Sequence, residues 1–522
     1  MIPLLLAALA LSTGDSLPVS SPSLLGMPAG RPAPIEAAGE GLPVRSPSAV
    51  GMSAARLASI DRVIRRGISA GGYPGAAVVV GRKGFAVWQK GFGRLDWTHP
   101  AEVSPGETVY DLASLTKVVG TTTAVMILYD EGRIQLDAPV NAYLPEFTGG
   151  WKDSVTVRQL LTHRSGLPAS RNIWRIAHTP AEARFQILTT PLACRPAACF
   201  IYSDIGAATL GIIVEQVSGI GLDEFLEARV FAPLGMKETG FRPDPSLRDR
   251  IAPTEVLPPR GYPLRGEVHD ENAYAMGGVS GHAGLFSTAA DVSIFAQLML
   301  NGGEYNGTRI ISDSTVRLFT QRAVGNRALG WASADGSGGS GRYLSNRAYG
   351  HTGFTGTSLW IDPDRDMFVL LLTNRVHVAR ARRPAKVISD VRADLADAAA
   401  IAVMDSPEGV LAMPAAFRAD RAVGWNGVER SSKARRSKAS RSRRSSKSAK
   451  ARKPVSGSSS KVRTARASKG SKAVAKTRSS ATRKTVSKVA RPSVKKSTTK
   501  SARPTPARKP APRKSGAKRA QS

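Results

Sequence analysis

The chain has 522 residues, more than one domain usually contains, and its 74 Lys and Arg outnumber 40 Asp and Glu. The excess is local, because residues 430–522 carry 33 of the basic residues and none of the acidic ones, leaving 41 basic and 40 acidic residues in 1–429. The basic charge therefore does not describe the folded part, and two cysteines are too few for a fold built on disulfides.

The N-terminus predicts an exported protein. Residues 1–14 contain an apolar run from Ile2 to Leu11 followed by small polar residues, which is typical of a signal-peptide core, although no basic residue precedes Arg31. A buried N-terminal helix is the alternative. We predict a signal peptide at 1–14, export to the periplasm or the exterior, and a Pro-, Gly- and Ser-rich linker at 15–51. No stretch is long and apolar enough to predict a transmembrane helix.

Residues 52–405 predict one large domain of the α/β (α+β) class. Apolar residues at helical spacing follow Ser53, a helix N-cap, and short apolar runs at the two ends of the region predict strands. We expect an antiparallel sheet flanked by helices, with a helical lobe inserted between its distant segments and the active site where the two meet. The predicted strands are 76–80, 85–89, 358–361 and 367–373, and the main predicted helices are 118–132, 205–218, 222–231, 290–301 and 384–403.

The C-terminal region is predicted to lack a core. After a linker at 406–429, residues 430–522 contain no Phe, Trp, Tyr, Leu, Ile or Met. Such a segment cannot bury enough apolar surface to offset its chain entropy, so we predict a disordered basic tail. Its charge predicts a polyanionic partner, which an envelope polymer, phospholipid or nucleic acid could each supply.

Cysteine and histidine spacing predicts no metal site and no cofactor. Cys194 and Cys199 are separated by four residues, so a local disulfide and two buried thiols both stay open. The histidines form neither HxxxH nor HExxH patterns and do not neighbour the cysteines.

Residues 110–117, Tyr-Asp-Leu-Ala-Ser-Leu-Thr-Lys, open a predicted helix and contain the pattern SxxK. Residues three apart share one face of a helix, so the amine of Lys117 can reach the hydroxyl of Ser114. A serine hydroxyl is a weak nucleophile until a base takes its proton, and a buried Lys can do so if its pKa is lowered. The pattern alone also fits a surface Ser and Lys.

Two further motifs follow in order, Tyr202-Ser203-Asp204 before a predicted helix and His351-Thr352-Gly353 before a strand hairpin. With SxxK they make the chain resemble the serine β-lactamase-related superfamily, near class C β-lactamases and the D-alanyl-D-alanine carboxypeptidases similar to them. The resemblance runs over about 52–403 and includes loops at 160–168, 277–287 and 350–357.

The resemblance implies an acyl-enzyme on Ser114 that water later releases. Lys117 and Tyr202 would share the general-base work, because a phenol beside cations ionises more readily. The backbone N–H groups of Ser114 and Phe354 would hold the oxyanion.

The resemblance also implies a substrate-binding group of Asp204, His351, Thr352 and Gly353, with the His and Thr facing a substrate carboxylate. Two of these depart from the superfamily pattern. Asp204 replaces an amide donor by a carboxylate that only accepts when ionised, and His351 replaces the Lys of many β-lactamases. The departures put penicillin hydrolysis in doubt and favour a peptidase, esterase or amidase.

The first interpretation is a cell-wall D-alanyl-D-alanine carboxypeptidase that acts on acyl-peptides derived from peptidoglycan. An esterase or a β-lactamase of the same superfamily is the alternative, and a catalytically weak peptide-binding protein is another.

Five other residues attract attention and have plainer interpretations. Ser69 satisfies GxSxG, but it ends a predicted helix, whereas a nucleophile elbow needs a strand before the serine. His163 and His282 are predicted to be hydrogen-bonded scaffold. Trp174 and Trp331 could line the cleft or belong to the core or surface.

Overall fold

The computed structural model describes residues 41–98, 100–377 and 384–425. The predicted signal peptide and the basic tail lie outside these ranges. The centre of the fold is a six-stranded antiparallel sheet in the order β2-β1-β11-β10-β9-β8. Its strands are β1 Gly75–Arg82, β2 Phe85–Gly93, β8 Ala332–Ser333, β9 Tyr349–Thr352, β10 Ser358–Asp362 and β11 Met367–Thr373.

The remaining strands are short. A three-stranded sheet in the order β3-β5-β4 joins β3 Tyr110–Asp111, β4 Gly240–Phe241 and β5 Leu285–Ser287, and β6 Glu304–Tyr305 pairs with β7 Thr308–Arg309. Because β3 ends three residues before Ser114, the smaller sheet fixes where the predicted nucleophile begins.

Strand β1 is buried along its whole length, and its alternate side chains serve two cores. Ala76, Val78 and Val80 pack with the helices at the two ends of the described region. Ala77 and Val79 pack with the helices of the middle of the chain. The sheet therefore has helices on both faces.

The helices account for most of the rest. They are α1 Ala54–Leu57, α2 Ser59–Ser69, α3 Thr123–Asp130, α4 Val157–Leu161, α5 Pro180–Leu188, α6 Asp204–Ser218, α7 Leu222–Leu226, α8 Ala232–Leu234, α9 Glu271–Ala275, α10 Ala289–Leu300, α11 Asp313–Thr320, α12 Ala385–Ile401 and α13 Arg418–Arg421. Helices α2 and α12 cover one face of the sheet, and α10 covers the other.

The predicted fold class is confirmed: an antiparallel sheet is assembled from two distant segments, residues 75–93 and 332–373, and a helical lobe is inserted between them. The predicted helix over 118–132 differs in detail, because residues Lys117–Thr122 form a π-helical turn before α3 begins.

Both predicted linkers contribute to the core wherever the structure describes them. In the first, Leu42 and Val50 are buried. In the second, Phe417 and Trp425 are buried, and the Trp425 indole donates to Asp390 of α12 at 2.8 Å. The few apolar residues that anchor these segments to the core did not stand out in the sequence.

Cys194 and Cys199 form a disulfide, so the question left open by the sequence is answered in favour of the local bridge. Across the described ranges, no single helix is both long and apolar enough to cross a bilayer; the bent pair of α6 with residues 222–234 passes that test only when taken together.

Candidate active site

Ser114 lies on a short 3-10 turn, Ala113–Leu115, and is half-buried between fully buried neighbours. Ala113 adopts a positive φ of 48°, a conformation that costs a residue with a side chain about 1–3 kcal/mol. The Asp111 carboxylate accepts from the Ala113 N–H at 2.8 Å and from the His269 N–H at 2.7 Å. The carboxylate thus stabilises the strained turn that presents Ser114.

Lys117 lies directly beneath Ser114, as the SxxK spacing predicts. Its Nζ donates to Ser114 Oγ at 3.0 Å and to the His282 carbonyl at 2.9 Å, and it pairs with Asp204 Oδ1 at 2.8 Å. Three acceptors match the three protons of an ammonium. The resting geometry therefore leaves Lys117 no lone pair with which to accept a proton from Ser114.

Charge agrees with that geometry. Burial lowers the pKa of Lys117, but the Asp204 carboxylate and Tyr202 raise it by more, so the pKa of Lys117 lies above its usual value. The condition set out for Lys117 as a base, a lowered pKa, is therefore not met. Asp204 raises the pKa of Lys117 because its carboxylate forms an ion pair with the ammonium.

Tyr202 occupies the middle of the site. Its ring lies 4.5 Å from the His163 ring, 5.8 Å from the His351 ring and 5.2 Å from Lys117 Nζ, measured to centroids. Tyr202 therefore lies between Lys117 and the two histidines of the site.

His351, Thr352 and Gly353 form the end of β9 and the turn after it. Burial, with Arg327 and Lys117 nearby, holds the pKa of His351 well below its usual range, so the imidazole is neutral. Gly353 is required by close packing, because a β-carbon there would lie 2.6 Å from the Leu112 carbonyl oxygen.

The turn after β9 is fastened to the turn that carries the nucleophile. Thr355 donates to the Asp111 carbonyl at 2.8 Å, and Thr357 donates to the Leu112 carbonyl at 3.0 Å. The segments bearing the Ser114 and Phe354 N–H groups are thus adjacent. Their role as an oxyanion hole remains a prediction.

Two arginines lie in the site although neither belongs to a motif that the sequence analysis identified. Arg327 lies over the Phe200 and Tyr202 rings at 5.3 and 5.6 Å, and its Nε and Nη1 are buried without a partner among the described residues. Arg392 of α12 donates to the carbonyls of Gly353 at 2.6 Å and Thr357 at 2.8 Å. Burial and nearby positive charge lower the pKa of Arg392 to about 9.

Ser280, His282 and Asp270 are hydrogen-bonded in series, an arrangement that resembles a catalytic triad. Ser280 Oγ lies 2.7 Å from His282 Nδ1, and His282 Nε2 lies 2.8 Å from Asp270 Oδ1. Ser280 is only 2% exposed, so substrate cannot reach it. These hydrogen bonds instead fix the position of the His282 carbonyl, which accepts from Lys117. This is the scaffold role expected for His282.

The other sequence candidates fall outside the reacting group. Ser69 is exposed at the end of α2. Trp331 is fully buried against Tyr349 and belongs to the core. His163 supports Tyr202 from behind, and its Nδ1 accepts from the Ser203 N–H at 3.1 Å. Within the described ranges no cluster of His, Cys, Asp or Glu could hold a metal.

A nucleophile-bearing turn at the boundary of a sheet and a helical lobe, with Lys, Tyr and His converging on it, defines an active-site serine hydrolase. Comparison with known proteins agrees. The beta-lactamase family model matches residues 60–392. A provisionally named D-alanyl-D-alanine carboxypeptidase of Salmonella agona (strain SL483) is 35% identical over 357 residues, covering 61% of this chain and 82% of the relative.

An N-acetylmuramyl-L-alanine amidase of Bacillus subtilis (strain 168) is 36% identical over 363 residues, covering 61% of this chain and 80% of the relative. A penicillin-binding protein homologue from Caulobacter crescentus superposes with a TM-score of 0.51 at 21% identity, covering 62% of this chain and 93% of that one, which shows the fold. The chain belongs to the beta-lactamase family of serine hydrolases.

Proposed function

We propose that the protein cleaves peptides derived from peptidoglycan through an acyl-enzyme on Ser114, as a D-alanyl-D-alanine carboxypeptidase. The observation that carries the proposal is the 3.0 Å contact between Ser114 Oγ and Lys117 Nζ in a pocket shared with Tyr202 and His351. The similarity to relatives named for cell-wall hydrolysis supports the substrate class.

In the proposed acylation, ionised Tyr202 accepts the Ser114 proton while Oγ attacks the substrate carbonyl. Lys117 remains an ammonium and stabilises both the phenolate and the developing Oγ charge. The oxyanion is held by the N–H groups of Ser114 and Phe354. Tyr202 then gives its proton to the leaving amine. In deacylation a water gives a proton to Tyr202 and attacks the acyl carbon, and Tyr202 returns that proton to Ser114 Oγ as the acid is released.

Recognition of a C-terminal carboxylate falls to Arg327 in this proposal. Its buried Nε and Nη1 have no partner among the described residues, and a guanidinium of this kind suits a carboxylate. Thr352 supplies a hydroxyl donor at the end of β9, whereas the single N–H of neutral His351, on Nδ1, donates to the Thr352 carbonyl at 2.9 Å. Asp204 is already paired with Lys117, so it orients the ammonium and not the substrate.

Labelling tests the covalent step. A fluorophosphonate probe and a fluorescent penicillin are applied to the wild type, to Ser114→Ala and to Ser69→Ala, a matched serine exposed at the end of α2. We expect fluorophosphonate to label the wild type and Ser69→Ala but not Ser114→Ala. Equal labelling of all three would remove Ser114 from the mechanism.

A second candidate is an amidase that cleaves the bond between muramic acid and L-alanine. The 36% identity to a relative of that name over 363 residues favours it. Mass spectrometry of a muramyl pentapeptide digest separates the two, because a carboxypeptidase releases D-alanine and an amidase releases the intact peptide.

Ester hydrolysis alone would favour an esterase, and penicillin turnover would favour a β-lactamase. Binding without turnover would favour a peptide-binding protein.

We also propose that the protein is exported and that residues 430–522 attach it to an anionic envelope polymer. The 33 basic residues without one acidic residue support the attachment. Such binding weakens steeply with salt. Retention on purified cell envelope that is unchanged after truncation at Glu429 would contradict the attachment, and retention of the mature protein inside the cell would contradict export.

A further inference from the structure

The turn after β9, residues 353–357, is bound by a charged side chain of α12. Arg392 donates through Nη2 to the carbonyls of Gly353 at 2.6 Å and Thr357 at 2.8 Å, and through Nε to the Gly356 carbonyl at 3.3 Å. A guanidinium presents its N–H groups in a rigid planar fork. Three carbonyls bound to one such group are therefore held in a fixed arrangement.

The same turn also contacts the segment that carries the nucleophile. The Thr357 hydroxyl donates to the Leu112 carbonyl at 3.0 Å. A β-carbon on Gly353 would lie 3.4 Å from Ala113 Cβ, so the two chains approach each other closely. The turn thus joins Arg392 of α12 to the residues just before the nucleophile.

The peptide bond between Gly353 and Phe354 carries two groups that matter here, the carbonyl bound by Arg392 and the N–H predicted to hold the oxyanion. This bond is trans, because the one cis bond of the described residues joins Pro258 and Pro259. In a planar trans peptide the C=O and N–H point in opposite directions. A donor that fixes the carbonyl therefore also fixes the N–H, which points away from Arg392.

The charge of Arg392 also acts on this peptide unit. Hydrogen bonds from a cation are about twice as strong as neutral ones, and the 2.6 Å contact with the Gly353 carbonyl is short for an N–H donor. Electron density drawn toward the carbonyl oxygen leaves the N–H of the same peptide more positive, and linked hydrogen bonds strengthen one another away from water. The Phe354 N–H is thereby made a stronger donor than an ordinary backbone amide.

The side chain of Phe354 is held as well. The His269 ring stacks on the Phe354 ring with 5.6 Å between centroids, and the Arg375 guanidinium lies 5.7 Å from the same ring centroid. The His269 N–H donates to the Asp111 carboxylate, which also accepts from the Ala113 N–H. Phe354 is thus linked to the nucleophile turn, which limits rotation of its peptide.

We propose that Arg392 is a positioning residue for the oxyanion hole: by binding the Gly353 carbonyl it aims the Phe354 N–H at the substrate carbonyl oxygen and strengthens it as a donor. The inference rests on the proposed function and deepens it, because it assigns part of the oxyanion stabilisation to a side chain that does not touch the substrate. A stronger donor acts more on an oxyanion than on a neutral carbonyl, so Arg392 acts on the acylation rate and not on binding.

Rapid-mixing kinetics with a short-chain p-nitrophenyl ester separate the acylation rate constant from the affinity for the ester. We expect Arg392→Met to acylate about ten- to a hundredfold more slowly, with the affinity changed by less than about twofold. Arg392→Lys, which keeps a cation, should recover part of the rate. All variants are assayed at a temperature at which circular dichroism shows them to be folded.

Arg56→Met is the matched control for loss of an arginine that binds backbone. Arg56 is also partly buried, and it donates to two backbone carbonyls, those of Ile401 and Leu411, each at 2.7 Å. It belongs to α1 and has no part in the proposed mechanism. This variant should acylate at the rate of the wild type.

Infrared spectroscopy gives a readout that a purely structural role would not move. The acyl-enzyme is formed by rapid mixing with an ester that carries ¹³C at its carbonyl, whose band moves to lower frequency as the hydrogen bonds it accepts strengthen. We expect the band of Arg392→Met at a higher frequency than the bands of the wild type and Arg56→Met. A rate loss with an unmoved band, or acylation of Arg392→Met at the wild-type rate, would overturn the proposal.

If Arg392→Met does not fold, Arg392→Gln, which keeps a neutral donor, is judged by the same two criteria. Failure of the proposed function has a different signature. A wild type that forms the acyl-enzyme but releases no D-alanine from a muramyl pentapeptide would contradict the carboxypeptidase and leave the effect of Arg392 intact. A wild type without any acyl band would contradict both.

Discussion

Replacing Asp204 by Asn removes the charge that lies 2.8 Å from Lys117 Nζ but keeps the shape of the side chain and one acceptor oxygen. At that distance and an effective dielectric constant of about 20, the attraction is ~6 kcal/mol. The Asp204 side chain is 27% exposed. If water screens half of the attraction, ~3 kcal/mol remains, which corresponds to about two units in the pKa of Lys117.

The direction of the effect follows from which form is active. In the proposed mechanism the Lys117 ammonium donates to Ser114 and stabilises the charge that develops there, so activity should be lost as pH rises through the pKa of Lys117. That pKa is raised in the folded protein, so the ion pair stabilises the fold fully below the unfolded-state pKa and loses this contribution as pH rises through the folded one. In Asp204→Asn the carboxylate no longer opposes burial, so the pKa of Lys117 falls.

The assay is kcat/KM for a short-chain p-nitrophenyl ester against pH, corrected for spontaneous hydrolysis. We expect the alkaline limb of Asp204→Asn to fall about two pH units below that of the wild type. Asp137→Asn is the control, because it removes an exposed ion pair with Arg158. Identical alkaline limbs in all three proteins would refute the assignment of the limb to Lys117.

Three further outcomes are expected. Arg327→Gln should raise KM by about ten- to a hundredfold for a peptide with a free carboxylate and leave the corresponding ester little changed, as steady-state kinetics will show. Arg392→Met should remove one donor from the carbonyls of Gly353 and Thr357, which keep their backbone donors, and should lower the free energy of unfolding by about 1–3 kcal/mol in urea titrations and reduce kcat. Replacing Cys194 and Cys199 by Ser should cost about 2 kcal/mol of stability through the five-residue loop, and a reductant should have no effect on that variant.

Local spacing made part of the site predictable. Residues three apart on one helical turn must approach each other, so the contact between Ser114 and Lys117 followed from SxxK. The likeness to known motifs then brought Tyr202 and His351 to the same place. The roles of these residues stay predictions until labelling and kinetics test them.

The two arginines could not be found in this way. Arg327 precedes a strand of two residues and contacts rings more than a hundred residues earlier in the chain. Arg392 is one of several charged residues on an amphipathic helix, where a solvated face is the default interpretation. Their burial and their partners are products of tertiary packing. The same limit applies to the sign of the Lys117 pKa shift, which depends on a carboxylate 87 positions away.

The two departures from the superfamily pattern make sense together once Arg327 is included. The pocket already holds two cations, Lys117 and Arg327, and both lower the pKa of His351. A lysine at position 351 would add a third cation beside these two. A neutral imidazole avoids that repulsion, and in the proposed mechanism Arg327 supplies the positive charge that binds the substrate carboxylate.

This charge balance predicts non-additive behaviour. His351→Lys alone should destabilise the protein and lower kcat/KM, because like charges in a buried site repel. In an Arg327→Gln background the same change should be tolerated and should recover part of the affinity for a carboxylate-bearing peptide. A double-mutant cycle, measured by urea unfolding and by KM, gives the coupling energy between positions 327 and 351. It should exceed about 1 kcal/mol, because the two residues belong to one charge network. Additive effects would show that Arg327 and position 351 do not share a carboxylate, and that the substitution at 351 has another origin.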